Sequence, residues 1–382
     1  MSAKATTLLL LLCACASAEQ GTPDTGAAPI DAGRPAPDAG QPADDAGVEP
    51  DAGAEPDAGV EPDAGLAPDL SPGEHELTLV TPDGRTRRYL VHVPAQRLDP
   101  PPVVMNLHGG GGSAENTRDG TLMVPLAEQE GFLLVFPEGV PSSEGGGGPL
   151  GVTATWNAGV CCDPALEQDI DDVAYFDALL DDLATRIDYD PRRVYATGLS
   201  NGAMMSFRLA CQLSERITAV APVAGQGEAF ECQPTRPVPI MYTHGTEDMC
   251  ARYDGGAMCG GCFQRFLNAW LGTNIPVPSW PCTGAVAYME QWRTRYGCAA
   301  PSTITYQNGN ATCETWMCDD AVELTFCPVE GMGHSWPGGA PPPFCDRPGS
   351  AQCVAWLNEV GASSDDIGNA QIWAFFQRHA LP

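Results

Sequence analysis

A serine lies between two glycines in residues 198–202 (GLSNG). A short apolar run, 193–197, precedes this segment, and a helical pattern begins at Ala203. A G-x-S-x-G segment between a strand and a helix predicts a nucleophile elbow, in which a strained turn exposes the hydroxyl of Ser200. The first N–H groups of the helix would then face an oxyanion formed at this serine. The alternative interpretation is a glycine-rich connection with an incidental serine.

A serine hydroxyl becomes a nucleophile when a base takes its proton and an acid orients that base. His334 follows the last predicted strand, within a glycine-rich segment, and we interpret it as the base. Asp248 follows an earlier predicted strand, and its neighbour Glu247 is the rival acid. The order serine, aspartate, histidine along the chain is that of α/β-hydrolases. We therefore predict Ser200, Asp248 and His334 as the catalytic residues.

Four glycines, residues 109–112, follow His108 at the end of another predicted strand. Glycine lets the backbone approach a substrate closely, and a phosphate-binding loop would need a Lys-Ser/Thr pair that is absent here. We predict that the N–H groups of Asn201 and Gly110 bind the oxyanion. His108 and His244, which also follow predicted strands, are the other candidates for the base.

Predicted strands and helices alternate over residues 73–382. This alternation predicts a single α/β domain whose mostly parallel sheet has helices on both faces. The catalytic groups then belong in loops at the carboxyl ends of the strands. The longest predicted helix covers about 171–187, with Asp171 and Asp172 suited to its N-terminus. A segment of roughly 310 residues is long enough to bury a full core.

Residues 1–18 contain a lysine, an apolar run and then small residues, which is typical of an export signal. The segment 12–15 (LCAC) resembles a bacterial lipobox, in which Cys15 would be lipidated. Cleavage after Ala16 or Ala18 is the alternative. In either case we predict an extracytoplasmic protein. It would be secreted or held at the outer surface, and it would touch a membrane only through the lipid anchor.

Residues 19–72 consist largely of Pro, Ala, Gly and Asp, and the unit EPDAG recurs every six residues. Because the segment has no apolar periodicity, its burial cannot offset the entropy of folding, and we predict a disordered acidic tether. Residues 1–72 hold 13 of the 49 acidic groups and 2 of the 19 basic ones, which leaves 36 acidic and 17 basic groups, or −19, beyond them. Such a charge excludes nucleic acid as a partner.

Sixteen cysteines, fourteen of them after residue 160, predict a framework of disulfide bonds in an exported chain. We expect Cys211 to bond to Cys232, because one ends the helix after the elbow and the other follows the next strand. The adjacent Cys161 and Cys162 are expected to bond to different partners. The segment 259–262 (CGGC) could indicate zinc or thiol redox chemistry, but no second such pair completes a site. We therefore predict no metal and no cofactor.

Six segments of the chain together resemble the secreted polyhydroxybutyrate depolymerase and feruloyl esterase family, a group of α/β-hydrolases related to carbohydrate esterase family one. The segments are 107–113 (LHGGGGS), 156–162 (WNAGVCC), 171–174 (DDVA), 198–204 (GLSNGAM), 244–248 (HGTED) and 333–338 (GHSWPG). The resemblance covers about 73–382. It implies Ser200 as nucleophile, Asp248 as acid and His334 as base. It also implies that Trp156, Asn157 and Trp336 border the substrate.

The sequence departs from this family after the proposed acid. Residues 249–253 (MCARY) replace the Pro-Val-Val-Pro type of run that is usual in relatives. A cysteine-rich insertion then covers about 257–284 and contains Cys259, Cys262 and Cys282. Because it follows the loop of the acid, the insertion could shape the substrate entrance. The alternative is a surface excursion pinned by disulfides.

The resemblance implies a serine carboxylester hydrolase that acts through an acyl-enzyme. We expect its substrates to be feruloyl or acetyl esters of plant-wall polysaccharide, because the flat rings of Trp156 and Trp336 would favour a planar acyl group or a sugar ring. Poly(3-hydroxybutyrate) or another short-chain polyester is the alternative substrate. Two further hypotheses are a peptidase on the same fold and a non-catalytic surface binding protein. We expect a monomer that binds a polymeric or oligomeric ester.

Overall fold

The computed structural model describes residues 70–141, 154–227, 230–298 and 301–382. The predicted export signal, 1–18, with its lipidation site Cys15, lies outside these residues. The predicted tether, 19–72, also lies outside them apart from its last three residues. Among the described residues, no helix has the length and apolar character that crossing a bilayer would require. The boundaries of the signal, the tether and the domain stay predictions.

A ten-stranded sheet forms the centre of the structure. The described strands, in chain order, are β1 (Gly73–Val80), β2 (Thr86–Val93), β3 (Val103–Leu107), β4 (Leu133–Pro137), β5 (Val140–Pro141), β6 (Ala154–Thr155), β7 (Val194–Leu199), β8 (Ala219–Val223), β9 (Ile240–Gly245), β10 (Gly255–Cys259), β11 (Trp280–Thr283), β12 (Thr303–Asn308), β13 (Ala311–Met317) and β14 (Glu323–Val329). The sheet order is β1-β2-β4-β3-β7-β8-β9-β14-β13-β12, and the pairs β5–β6 and β10–β11 stand apart.

The six central strands of this sheet, from β4 to β14, are parallel. An antiparallel pair closes each edge: β1 and β2 on one side, β12 and β13 on the other. Every residue of β3, β4 and β8 is buried. Continuous burial of this kind is typical of parallel strands that have helices on both faces.

Eight α-helices lie within the described ranges: α1 (Ala114–Thr121), α2 (Val124–Glu130), α3 (Asp172–Ala184), α4 (Asn201–Gln212), α5 (Cys262–Leu271), α6 (Ala285–Arg295), α7 (Ala351–Glu359) and α8 (Asn369–Phe376). The helices α3, α4 and α6 cover one face of the sheet, where Phe207 stacks on Trp292 at 5.4 Å between ring centroids. The helices α1, α2 and α8 cover the other face, where Phe376 stacks on Tyr195 at 4.6 Å. The predicted mostly parallel sheet with helices on both faces is therefore confirmed.

The start of α3 shows how its two aspartates differ. Asp171 caps the helix, since its Oδ1 accepts the N–H of Ala174 at 3.0 Å. Asp172 is buried and instead forms an ion pair of 2.9 Å with Arg87 on β2. Burial raises the pKa of Asp172, and the charge of Arg87 opposes that shift. Asp172 also accepts the backbone N–H of Asn157 at 2.7 Å, so it joins the first hairpin to the loop that precedes α3.

All fourteen cysteines after residue 160 lie among the described residues and are paired. The pairs are Cys161–Cys162, Cys211–Cys232, Cys250–Cys262, Cys259–Cys282, Cys298–Cys318, Cys313–Cys327 and Cys345–Cys353. The predicted bond between Cys211 and Cys232 is confirmed. The prediction of different partners for Cys161 and Cys162 is wrong, because the other twelve cysteines pair among themselves and leave these two neighbours for each other.

The predicted insertion, residues 257–284, is here called the cap. It contains α5 between the short antiparallel strands β10 and β11, and the bond Cys259–Cys282 joins those strands. The bond Cys250–Cys262 ties the start of α5 to the loop after β9. On its other side α5 packs against α7 in a small aromatic core separate from the two sheet faces. The cap is therefore a pinned structural unit and not a loose excursion.

Candidate active site

Ser200 occupies the turn between β7 and α4. Its backbone has φ 58° and ψ −118°, a conformation that a residue other than glycine adopts only at a cost of about 1–3 kcal/mol. Two contacts hold it there. The N–H of Ser200 donates to the carbonyl of Val223 on β8 at 2.9 Å. In addition, a Cβ at Gly202 would lie 2.4 Å from the carbonyl oxygen of Leu107, so β3 and α4 approach this closely only because the residue is glycine.

His334 and Asp248 form a buried pair beside this turn. Nδ1 of His334 lies 2.8 Å from Oδ2 of Asp248. The other carboxylate oxygen accepts the N–H groups of Cys250 at 2.7 Å and Ala251 at 2.8 Å. This arrangement places the Nδ1 proton toward the acid and leaves Nε2 as the proton acceptor. Nε2 is buried, has no hydrogen-bond partner among the described residues, and belongs to a side chain that lines one cavity with Ser200.

The structure also places Glu247 and His244, the rival candidates for the acid and the base. The side chain of Glu247 is exposed, so the structure brings Asp248 and not Glu247 to His334. His244 is buried, and both of its ring nitrogens are engaged: Nε2 lies 2.7 Å from the carbonyl of Ala251, and Nδ1 lies 2.5 Å from the hydroxyl of Tyr242. Burial lowers the pKa of His244, with the charge of Asp248 opposing. His244 therefore supports the loop of the acid and has no free nitrogen for a substrate.

His108 also has both nitrogens engaged. Its Nε2 accepts the N–H of Gly139 at 2.9 Å, and its Nδ1–H donates to the carbonyl of Gly109 at 2.8 Å. Burial lowers the pKa of His108 to about 4, so the ring is neutral at pH 7. The structure thus removes His108 from the candidates for the base. The side chain instead shapes the glycine loop that follows it.

The glycine loop reaches the nucleophile. Gly110 lines the cavity together with Ser200, and a Cβ at Gly109 would lie 3.4 Å from the Cβ of Ser200. The N–H groups of Gly111 and Gly112 are already used, since they donate to Ala154 and Gly109 at 2.9 Å each. The N–H of Asn201 begins α4, where helical N–H groups have no intrahelical acceptor. The assignment of Asn201 and Gly110 as oxyanion donors fits this geometry and stays a prediction.

The side chain of Asn201 has a second function that the sequence does not reveal. Its Oδ1 accepts the N–H of Trp156 at 2.8 Å. Its Nδ2 donates to the carbonyls of Trp156 and Cys161, each at 3.0 Å. Asn201 therefore fixes the loop 156–162 against the nucleophile. The only signal in the sequence would be a polar residue within a segment otherwise expected to be buried.

The structure does not bring the three predicted substrate contacts to the cavity. Trp156 is fully buried and stacks on His108 with ring centroids 4.7 Å apart. Asn157 is buried, and its side-chain amide donates to the carbonyl of Ile170 at 3.1 Å. Trp336 is buried in the core under α8 and donates to Asn369 at 2.9 Å. Each side chain fills a core position with its polar atoms engaged, which is the physical reason for the difference from the prediction.

One cavity of about 50 Å³ contains the reacting groups. Ser200, His334 and Gly110 line it, together with Met204 and the bonded pair Cys161–Cys162. Half of its lining residues belong to the cap. The cap is therefore part of the wall of the site, and its effect on the substrate stays a prediction.

Three potential ligand groups, those of Asp248, Cys250 and His334, come within 4.8 Å of one another. Zinc sites use cysteine as a thiolate. Cys250 is bonded to Cys262, so its sulfur is not a thiolate, and this group of residues does not fit a metal site. Asp248 and His334 instead form a hydrogen-bonded pair with each other.

The fold and the site together define a class. A serine on a strand-to-helix elbow of a mostly parallel sheet, followed in the chain by an aspartate and a histidine that pair beside it, is the arrangement of α/β-hydrolases. The strands that precede these three residues are β7, β9 and β14, all in the parallel centre of the sheet. The predicted α/β-hydrolase fold is confirmed.

Comparison with known proteins gives the family. No family model matches the chain. The chain is similar to a protein assigned as an esterase, NocK of Nocardia uniformis subsp. tsuyamanensis, with 31% identity over 270 residues, 68% of this chain and 73% of that protein. It is also similar to feruloyl esterase B of Piromyces equi, with 29% identity over 61% of this chain, and to the bifunctional acetylxylan esterase/xylanase XynS20E of Neocallimastix patriciarum, with 25% identity over 66% of this chain.

The match to NocK is long enough to assign the chain. The chain belongs to the α/β-hydrolase esterase family that includes these proteins, which is the family that its motifs resemble. The chain spans 39% of feruloyl esterase B and 31% of XynS20E, so each of those two proteins is much longer than the region it shares with this chain.

Proposed function

We propose that the protein hydrolyses carboxylic esters through an acyl-enzyme formed on Ser200. The observation that supports this proposal is the free, buried Nε2 of His334, which Asp248 holds in the cavity that Ser200 also lines. Oγ of Ser200 attacks the acyl carbon while Nε2 of His334 takes its proton. The N–H groups of Asn201 and Gly110 bind the oxyanion that forms.

The proton on His334 then passes to the oxygen of the leaving alcohol as the carbon–oxygen bond breaks. Water attacks the acyl group on Ser200 in the second half of the reaction, and His334 takes a proton from that water. Collapse of this second intermediate returns the proton to Ser200 and releases the acid. The proposed reaction uses no metal and no organic cofactor, so we expect activity to persist in the presence of a chelator.

The substrates that we propose are feruloyl or acetyl esters of plant-wall polysaccharide. Two relatives support this class by name, a feruloyl esterase and an acetylxylan esterase/xylanase. A cavity of about 50 Å³ is too small for a sugar chain, so the polymer would remain outside it and present one ester group to Ser200. The partner of the protein is then an ester-bearing polymer or oligomer.

The test offers methyl ferulate, acetylated xylan and amorphous poly(3-hydroxybutyrate) side by side to the wild-type protein. We expect release of ferulate or acetate and near-background rates for Ser200→Ala. Ser206→Ala is a matched control, because this buried serine also lies on α4 and its hydroxyl donates within the helix to Gly202 at 2.8 Å. Release of hydroxybutyrate alone would favour the polyester hypothesis. No product, with no labelling of Ser200 by a fluorophosphonate, would favour a non-catalytic binding protein.

We also propose that the protein works outside the cytoplasm as a monomer attached by a lipid on Cys15. Seven disulfides support export, because such bonds persist in oxidising compartments. The lipobox-like segment 12–15 supports the anchor. Mass spectrometry of the mature N-terminus checks it: a diacylated Cys15 is the expected result, and an unmodified terminus after Ala16 or Ala18 would contradict it.

A further inference from the structure

The cap supplies the Phe and Trp side chains that line the cavity. Phe263, Pro278, Trp280 and the bond Cys259–Cys282 all come from the cap and line the cavity. Met204 and the bonded pair 161–162, which belong to the sheet domain, also line the cavity. The reacting groups therefore open into a space bounded by large apolar groups.

Two of these cap residues are close to the chemistry and fixed in place. The rings of Phe263 and His334 form an edge-to-face pair, with 6.5 Å between their centroids. The indole of Trp280 packs against the backbone of Gly260, where a Cβ would come within 2.2 Å of the ring. Gly260 also has φ +84°, in the left-handed region that favours glycine. The indole of Trp280 is thus held against a surface that only glycine provides.

The cap has little freedom to move these walls away. The bond Cys250–Cys262 fixes the start of α5, and the bond Cys259–Cys282 fixes both short strands. Behind α5, Phe266 packs on Trp356 of α7 at 5.3 Å between ring centroids. The size of the cavity is therefore set by covalent and packed contacts and not by a loop that adjusts to its ligand.

The size of the cavity limits what it can hold. An apolar cavity of about 150 Å³ is what one benzene ring occupies in a well-studied case, and the cavity beside Ser200 measures about 50 Å³. That space matches the two carbons of an acetyl group, whereas the ring of a feruloyl group would exceed it and extend beyond the cap residues that line it. A pocket that is too small discriminates by about 10–200-fold for each extra methylene.

We propose that the cap selects the acyl group, with Trp280 and Phe263 as the specificity-determining residues that restrict the protein to acetyl esters. This inference rests on the proposed ester hydrolysis at Ser200. It chooses between the two acyl groups considered above, and it assigns the choice to residues of the cap. The tryptophans 156 and 336, from which the sequence argued for a planar acyl group, take no part in it.

The experiment measures kcat/KM for 4-nitrophenyl acetate, butanoate and hexanoate, which share one leaving group, and for methyl ferulate. For the wild-type protein we expect the value to fall steeply from acetate to hexanoate, with little hydrolysis of methyl ferulate. Trp280→Ala should raise the hexanoate-to-acetate ratio by about tenfold or more. Trp270→Ala is the matched control and should leave the ratio unchanged, because Trp270 lies in α5, stacks on Phe266 and does not line the cavity.

Phe263→Ala serves as a second variant in case Trp280→Ala fails to fold, and circular dichroism checks both. An unchanged ratio in a folded cavity variant would overturn the assignment to the cap. Hydrolysis of methyl ferulate by the wild-type protein at a rate similar to that of an acetyl ester would overturn the size limit. Neither result affects the proposed esterase activity, which fails separately if the wild-type protein hydrolyses none of the four esters.

Discussion

The reacting residues and the cap meet at one cavity, but different interactions position them. Ser200, Asp248 and His334 each follow a strand of the parallel sheet, and backbone hydrogen bonds hold those strands side by side. The cap contributes no strand to that sheet. Two disulfides and a small aromatic core with α7 hold it. The comparison teaches that the proposed catalytic groups and the proposed acyl selectivity reside in separately supported parts of the chain, so they should respond to mutation separately.

The largest expected effect comes from the acid in the sheet domain. In Asp248→Asn, an amide replaces the carboxylate that accepts from Nδ1 of His334, so the imidazole loses its charged partner and its preferred tautomer. We expect kcat/KM for 4-nitrophenyl acetate to fall by about 10⁴-fold. Glu247→Gln is the matched control. Its kcat/KM should stay within about twofold of the wild-type value, because the side chain of Glu247 is exposed. If both variants lose activity equally, the acid is wrongly assigned. Any activity left in Asp248→Asn should keep the acetate preference of the wild type.

A smaller effect is expected from the bond that joins the two regions. Cys250 donates its N–H to Asp248 and is bonded to Cys262 of the cap. Replacing both cysteines by serine should lower kcat/KM for the acetate by roughly tenfold and weaken the acetate preference, because the cap and the loop of the acid loosen together. The free energy of unfolding should fall by about 2–4 kcal/mol.

Cys298→Ser with Cys318→Ser is the control for that variant. This bond joins the end of α6 to the end of β13 and does not line the cavity. Urea unfolding should show a similar loss of stability, while the ratio of acetate to hexanoate hydrolysis stays at the wild-type value. If removal of Cys250–Cys262 also leaves that ratio unchanged, the cap does not depend on this bond for its position.

The smallest expected effect is on the stability of the sheet domain, and it comes from Glu323, which lies outside the cap. Burial raises the pKa of Glu323, but hydrogen bonds from His379 and Arg378 outweigh it and lower the pKa from 4.5 to about 2. A lowered pKa stabilises the folded state above pH 4.5, and that contribution disappears as the pH falls from 4.5 to 2. The free energy of unfolding of Glu323→Gln should therefore be about 1–2 kcal/mol below that of the wild type at pH 7, and this difference should shrink as the pH falls below 4.5.

Urea unfolding of the wild type and Glu323→Gln at pH 7 and pH 3 measures this difference. Glu290→Gln is the control, because its ion pair with Arg293 is mostly exposed and such pairs contribute little. If both variants lose the same unfolding free energy at pH 7, burial does not strengthen the contacts of Glu323. The hexanoate-to-acetate ratio should not change in either variant.

The sequence predicts the parts of the fold that repeat a local pattern. Apolar runs such as β3 and β8 are typical of buried strands, and in the structure every residue of both strands is buried. The edge strand β12 gives a weaker signal, because only Ile304 and Tyr306 alternate with polar residues and its side chains are mostly exposed. The helix α1 also gives a weak signal, since its sequence, AENTRDGT, has few apolar residues.

The candidate site likewise has parts that the sequence predicts and parts that it does not. Chain order and turn geometry are enough to predict Ser200, Asp248 and His334, which the structure brings together at the cavity. The walls of the cavity are beyond the sequence, because they depend on which cysteines pair and where a tryptophan faces. Trp156 stands in a family motif and Trp280 in an insertion, but burial places the first in the core and the second at the cavity. No spacing rule distinguishes these two positions.

The buried position of Trp156 has a consequence for the geometry of the oxyanion site. Its indole N–H donates to the carbonyl of His108, the residue that begins the glycine loop, at 2.9 Å. Its backbone is held on both sides by the side chain of Asn201. A single residue thus links the two segments that carry the proposed donors, Asn201 and Gly110, and acts as an internal spacer between them. The buried indole ring therefore contributes to the spacing of the two segments, and we expect a smaller ring there to change that spacing without altering either donor.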